Sequence, residues 1–238
     1  MYIELPNEPG SIPIFRIIPF NRLLDILVNS KITLVKPKFW DDPFENFLYK
    51  QPILTPNGET ISIKKFEDSI FGNCWTYNSD NDFSWRVYAP HKDGIQIQSS
   101  IDILHNHLND GISDNEDKRI KVGKVLYLTW DEIRDIYENR GGFSPIEFIS
   151  SKSLFYKRIE FAAEKEVRVI GVNQDLSSNE VWQIDVDPNT LILKILIDPR
   201  ISSNDARVFT EVIKKLGYTG VIEQSKLYAS PKLNIQPK

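Results

Sequence analysis

Apolar positions recur along this chain with two periods, and each switch between them marks an element. Ile12 to Ile18 is a short apolar run, interrupted by Pro13 and closed by Pro19, and it predicts a first strand carrying one charge, Arg16. Phe20, Leu23, Leu24 and Leu27 then repeat at three and four, the spacing of one helix face, and Asn29-Ser30 ends that helix. Lys31 to Val35 predicts a second strand, closed by Pro37. Phe71 to Thr76 reads as a buried strand, and Phe83 to Ala89 as a short helix with Asp82 at its N-cap. Gly94 to Gln98 alternates like a half-buried strand, and Ser99 or Ser100 caps a helix running to Leu108. Val122 to Trp130 predicts a strand, Asp131 to Glu138 a helix, and Ser144 caps another helix with Pro145 in its first position.

Three consecutive strands follow, over Glu164 to Val172, Val181 to Val186 and Leu191 to Ile197. Ser202 or Ser203 starts a helix whose stripe is Ala206, Phe209, Ile213 and Leu216, ended by Gly217, and Tyr218 to Glu223 is a last strand. Between these lie loops at Phe39 to Glu45, Gln51 to Thr60, Gly111 to Asp117 and Asn139 to Phe143. Strands and helices mix irregularly, with no repeat or linker. The expected fold is α+β: a single domain over residues 1–238, with a mixed central sheet flanked by helices.

Composition narrows the class. The chain has 238 residues, 41% of them hydrophobic and 26% charged, with net charge -4. That suits a globular protein and argues against a generally basic nucleic-acid coat. Cys74 is the single cysteine, so neither an internal disulfide nor a cysteine zinc site is open to it, and its apolar setting predicts an inert thiol. His105 and His107 lie two apart on a helix, so they do not share a face, and no metal is expected. The first residues lack the basic-then-apolar pattern of a signal peptide, and no apolar run approaches spanning length. A cytoplasmic location with no membrane partner is expected. Phosphate-binding glycine loops and a nucleophile elbow are missing.

The polar residues that stand out are few. Glu164, Glu166 and Arg168 lie two apart, so on a strand they line one face, with Val167 and Val169 on the other. Two such carboxylates raise one pKa or demand a cation. By the same repulsion, neutralising one is expected to leave the fold intact or slightly more stable. The segment is either an exposed, self-neutralising ladder or the wall of a polar cleft. Trp85 and Tyr88, three apart on the short helix, form either core or an aromatic platform for a flat ring, with Ser84 and His91 at its ends. Arg16, a charge inside an apolar strand, either pairs with a carboxylate of the Trp40 to Glu45 loop or meets a ligand phosphate.

Five pieces in order resemble the bacterial family known as domain of unknown function 2971, which includes abortive-infection proteins of phage defence. They are Phe15-Arg16, Phe39-Trp40-Asp41-Asp42-Pro43-Phe44-Glu45, Asn73-Cys74-Trp75-Thr76, the run Trp85 to Gly94, and Tyr156-Lys157-Arg158 through Glu164-Lys165-Glu166-Val167-Arg168. The tail from Ile197-Asp198-Pro199-Arg200 to Ser225-Lys226-Leu227-Tyr228 also fits that family's ending. Trp40-Asp41 stands where Asn-Asp is commoner, and Ala162-Ala163 where an aromatic often precedes the first Glu.

The order of residues is also similar to that of ADP-ribosyltransferases. These carry Arg or His on the first core strand, Ser or Tyr in the middle, and Glu-x-Glu on a late strand. The resemblance implies NAD as substrate and an acceptor that is protein or nucleic acid, with an antitoxin or defence partner. It implies Glu166, Glu164 and Ser84 as catalytic residues, and Arg16, Trp85, Tyr88 and Arg168 as NAD-binding residues. Two other classes stay open. One is a metal-dependent nuclease using Asp41, Asp42, Glu164 and Glu166 with Lys157 or Lys165 nearby. The other is a non-catalytic binding module whose Glu-x-Glu-x-Arg ladder is structural.

Overall fold

The computed structural model describes residues 12–54, 57–62, 64–111, 118–138 and 152–231. The expected acidic loop after Gly111, the break at Asn139 to Phe143 and the helix capped by Ser144 lie outside the described residues. In chain order the first half contains β1 (Pro13–Pro19), α1 (Phe20–Asn29), β2 (Lys31–Val35), β3 (Pro52–Leu54), β4 (Thr60–Ser62), α2 (Lys64–Glu67), β5 (Ile70–Thr76), α3 (Asp82–Tyr88), β6 (Gly94–Ser100) and α4 (Ile101–Asp110). The second half contains β7 (Lys118–Lys124), β8 (Leu126–Leu128), α5 (Trp130–Glu138), β9 (Tyr156–Arg158), β10 (Glu166–Asn173), β11 (Val181–Asp185), α6 (Pro188–Leu191), β12 (Lys194–Ile197), α7 (Ser203–Lys215) and β13 (Val221–Gln224). This is the expected α+β architecture, a mixed central sheet with helices packed on it.

The sheet has nine strands among the described residues, and its wiring creates the cleft described below. β7, β10 and β5 lie side by side, antiparallel and in long register. The other edge of β5 is shared. β2 meets it only at Val35 opposite Gly72, and β1 only at Phe15 opposite Thr76. From there the sheet branches: β2 leads to β11, while β1 leads to β6, β12 and β13, the last pair parallel. Between the two bridges, no strand among the described residues pairs with Asn73, Cys74 and Trp75 on that edge. The sheet is split there.

One face of the sheet is buried under α1 and α4. Ile14 and Ile18 of β1, Leu23 and Leu27 of α1, Ile95 and Ile97 of β6, Leu104 and Leu108 of α4, and Val167 and Val169 of β10 form one apolar cluster. Each such side chain contributes roughly 1.5–3 kcal/mol by leaving water. Ser100 caps α4 by accepting from the Ile103 N–H at 3.3 Å, and Ser202 caps α7 through the Asp205 N–H at 3.1 Å. Gly217 ends α7 with φ +91, a left-handed conformation that costs glycine little.

Several local expectations are corrected. Gln51 to Thr60 contains β3 and the start of β4, which pair antiparallel. β6 is buried on both faces rather than half-buried, because α3 covers its second side near Gly94, where the Ala89 Cβ and the Trp85 ring close in on the backbone. The expected strand from Val122 breaks at Val125, which turns inward, and Leu126–Leu128 pairs with β9 instead. Asn81, not Asp82, caps α3, accepting from the Ser84 N–H at 2.9 Å. Leu191 belongs to α6, so β12 begins only at Lys194. Among the described residues no helix is long and apolar enough to cross a membrane.

Candidate active site

Alternation along β10 sends Val167 and Val169 into the core and leaves Glu166 and Arg168 on the opposite face. Glu164 is not on this strand, contrary to expectation. It ends a 3-10 turn, Ile159–Glu164, and Lys165 follows in a left-handed conformation with φ 46. Strand parity therefore does not bring the two glutamates together. The turn is pinned to the end of β5 instead. Thr76 Oγ1 donates to the Glu164 carbonyl at 2.5 Å, Asn78 Nδ2 to the Ala163 carbonyl at 2.7 Å, and the Tyr77 N–H to the Lys165 carbonyl at 3.0 Å. On the other side the Glu166 N–H donates to the Tyr127 hydroxyl at 2.8 Å.

The Lys157 ammonium is what joins the carboxyl groups. Its Nζ lies 2.5 Å from Glu164 Oε2, 3.1 Å from Glu166 Oε1 and 3.2 Å from Glu45 Oε1. Arg168 holds two of these carboxylates, Glu166 and Glu45, from behind. Its Nε donates to Glu166 Oε2 at 2.6 Å, Nη2 to Glu45 Oε1 at 2.5 Å, and Nη1 to the Leu154 carbonyl at 2.7 Å. Its guanidinium also stacks over the Trp40 ring, 4.6 Å from the centroid.

Three carboxyl groups thus share two cations, and the surplus charge is felt by Glu164. Burial and its hydrogen bond with Glu166 raise its pKa to about 7, against the opposing pull of Lys157. Burial also works to raise Glu166, but Arg168, the Glu164 hydrogen bond and Lys157 outweigh it and leave its pKa lowered. Below about pH 7 Glu164 holds the proton and Glu166 the charge; above it both are ionised. A carboxyl whose pKa is higher folded than unfolded subtracts stability as it ionises. For Glu164 that loss begins near its ordinary 4.5 and is complete above about 7. Glu164→Gln is therefore expected to gain on the wild type between pH 5 and pH 8, by on the order of 1–3 kcal/mol, read from denaturant melts at the two pH values.

Glu164, Glu166 and Lys157 face a cleft of about 560 Å³ that opens at the split in the sheet. Arg16, Ser84 and Tyr88 also line it, as do Cys74 and Thr76 of β5 and Asp41 and Asp42 of the loop before Pro43. Arg16 alternates with Ile14 and Ile18 on the core-facing side of β1, whereas its neighbour Phe15 pairs with Thr76 on the Glu166 side. Arg16 and Glu166 thus reach one cleft from different faces, through the gap between β1 and β5. Among the described residues Arg16 has no hydrogen bond or ion pair. Of the carboxylates expected for it, Glu45 is held by Arg168 and Lys157 and Asp42 by Arg158 at 3.2 Å, while Asp41 is exposed at the cleft. Desolvation lowers the Arg16 pKa to about 10. Burial, and then Glu164 and Glu166, raise that of Tyr88, whose hydroxyl stays protonated.

Two expected residues do not reach the cleft. Trp85 is fully buried against Ile17 and Ala89, and its Nε1 donates to Asp80 at 2.7 Å, so it is a core residue that holds α3. Arg168 is fully buried behind Glu166 and Trp40, where it supports the wall without lining it. Of the aromatics of α3, Phe83 and Tyr88 are exposed, and it is Tyr88 that lines the cleft, as Val87 and Phe39 do. His91 is exposed. Burial drives the Cys74 thiol up to about 12, as an inert thiol requires. Asp42 caps its own turn by accepting from the Phe44 N–H at 3.0 Å, and Trp40 and Phe44 are half-buried.

Gly72 makes room for Trp40. A Cβ there would stand 2.5 Å from Trp40 Cζ2. Gly72→Ala is expected to push that ring off Arg168 and cost about 1–3 kcal/mol, measured by chemical denaturation. The partners that sequence reasoning missed are Glu45 and the central place of Lys157. Both lie within the motifs quoted above, but nothing in one sequence pairs residue 45 with residue 157. Among the described residues no group of three or more His, Cys, Asp or Glu is arranged to hold a metal ion.

No family model and no curated protein matches the chain. Among solved structures it is similar to Thermus sp. 2.9 DarT in complex with ADP-ribosylated ssDNA, at 12% identity and TM-score 0.44, over 92% of this chain and 96% of that one. The same protein in complex with NAD+ gives 12% identity and TM-score 0.43, over 92% and 98%. Its complex with carba-NAD+ gives 13% identity and TM-score 0.41 over the same shares.

Proposed function

We propose that this protein is an ADP-ribosyltransferase-like enzyme that cleaves NAD and passes ADP-ribose to a protein or nucleic-acid acceptor. One observation carries the reading. A guanidinium with no hydrogen-bond or ion-pair partner among the described residues, Arg16, lines the same cleft as a carboxyl pair of which one member is ionised and the other titrates near neutrality. Arg16 is a bidentate donor for the pyrophosphate. Tyr88, in a cleft that Phe39 also lines, covers the nicotinamide ring. Glu166 accepts from a ribose hydroxyl and stabilises the oxocarbenium-like state as the ribose–nicotinamide bond breaks. Nicotinamide leaves neutral, taking the bonding electron pair. The acceptor then bonds to the ribose carbon, and its proton passes to ionised Glu164. Ser84 orients the ribose from α3.

Service in bacterial phage defence, in the cytoplasm and alongside an antitoxin or other defence partner, belongs to the same proposal. It rests on the ordered motifs shared with the domain of unknown function 2971 family. The nuclease reading is weaker, because the Lys157 ammonium stands at the point between the carboxylates that a divalent cation would need. Lys165, its other candidate, is exposed. The test is nicotinamide release from NAD, with EDTA in a parallel arm. Release unaffected by EDTA supports the proposal. Metal-dependent cutting of nucleic acid, with no NAD loss, replaces it by the nuclease.

Arg16 gives a second check with two signs. A desolvated guanidinium with no partner among the described residues costs the fold stability, so Arg16→Met is expected to melt no lower than the wild type. The same substitution removes the phosphate donor and is expected to raise KM for NAD about tenfold or more.

A further inference from the structure

Lys157 is almost wholly buried, yet it touches the cleft. Its ammonium makes contact with three carboxyl groups from three segments: Glu45 of the 3-10 turn Pro43–Lys50, Glu164 of the turn before β10, and Glu166 of β10 itself. The Phe161 ring covers it, 4.7 Å from Nζ to the centroid. The other titratable and charged groups facing Glu164 and Glu166 are Arg168 behind, Tyr127 from β8, Tyr88 from α3 and Cys74 from β5. Arg168 bonds Glu45 and Glu166, while Glu164 has Lys157 as its one ion-pair partner among the described residues.

We propose that Lys157 is the positioning residue of this site, holding Glu164 beside Glu166 so that the two share a single proton and Glu164, once ionised, accepts the proton of another group. The catalytic consequence rests on the NAD-cleaving reading; the proton sharing does not. A cation moved from Lys157 to any other place would leave Glu164 as an unpaired carboxyl beside a negative neighbour, protonated throughout the physiological range. A lysine suits the position because its ammonium is a compact point donor with three protons, one for each carboxyl group.

The test follows the carboxyl carbons of 13C-glutamate-labelled protein by NMR across pH, without NAD. One glutamate, lost in Glu164→Gln, is expected to titrate with a midpoint near 7. In Lys157→Met that midpoint is expected to rise by about one unit or more. An unchanged midpoint in folded Lys157→Met overturns the proposal. If that variant does not fold, the wild-type Lys157 ammonium resonance, assigned by its loss in Lys157→Arg, decides. It is expected to step at the pH where Glu164 titrates, and a flat profile overturns the proposal. In activity, Lys157→Arg is expected to lower kcat about tenfold or more with KM for NAD within about twofold, since its planar fork does not match the three-carboxyl site. Wild-type kcat there overturns the positioning role. A shifted midpoint with no nicotinamide release from the wild type keeps the proton-sharing pair and discards the NAD reading.

Discussion

Glu166→Gln is expected to reduce nicotinamide release from NAD by about a hundredfold or more. The substitution keeps the size and one acceptor oxygen of the side chain but removes the charge facing the oxocarbenium-like state. Its effect on the fold is expected to reverse the one the sequence suggests. Read as two repelling carboxylates, the pair would relax when one is neutralised. In the structure Glu166 is the carboxylate that Arg168 grips at 2.6 Å and Lys157 at 3.1 Å, and it is the ionised member of the pair. Removing its charge leaves two buried cations with less compensation, at a cost of about 1–3 kcal/mol. Denaturant melts and NAD turnover on one preparation test both halves. Full activity would remove Glu166 from the chemistry, and unchanged stability would mean that Glu45 alone suffices for Arg168.

Arg168→Met is expected to have the largest effect on stability, about 3–5 kcal/mol. Arg168 is fully buried, and its three donor nitrogens serve Glu166, Glu45 and the Leu154 carbonyl. Methionine fills similar volume and keeps contact with Trp40, but it strands two buried carboxylates with Lys157 as their shared cation. Glu166, whose pKa Arg168 holds down, then takes up a proton more readily in the fold. A folded-state pKa raised above the unfolded value removes stability as pH rises through that interval. The deficit against wild type is therefore expected to be smaller at pH 5 than at pH 8. A uniform deficit at both would mean that packing, not charge, is what Arg168 supplies.

The contrast between Glu166 and Glu164 shows why the site was only half legible. Their spacing, with Arg168, marks a polar patch in an apolar sequence, and that patch does border a cleft. The geometry behind the patch is different. Two residues apart on a strand would have put both glutamates on one face, but the left-handed Lys165 takes Glu164 off the strand. They meet because Lys157 and the end of β5 hold the turn back. Trp85 illustrates the other kind of error: helix spacing couples it to Tyr88 but does not say which of them faces solvent. The fit of Trp85 against Ile17 and Ala89 settles that.

The sequence by itself determined most elements, because hydrophobic period, caps and breakers are local. The helix of Phe20–Asn29, the strand of Lys31–Val35, the Ser202 cap and the Gly217 stop all follow from neighbours within a turn or two. It also determined which polar residues were worth placing, because a charge in an apolar run must find a partner or a ligand. What the tertiary structure decided is who the partners are. Glu45 meets Arg168 across 123 residues and Lys157 from a different segment again, pairings that depend on how the strands are ordered. The cleft is likewise a property of that order. β5 cannot pair along its whole edge with both β1 and β2, so the sheet parts, and through the gap Arg16 comes to the same space as Glu166 from the opposite face.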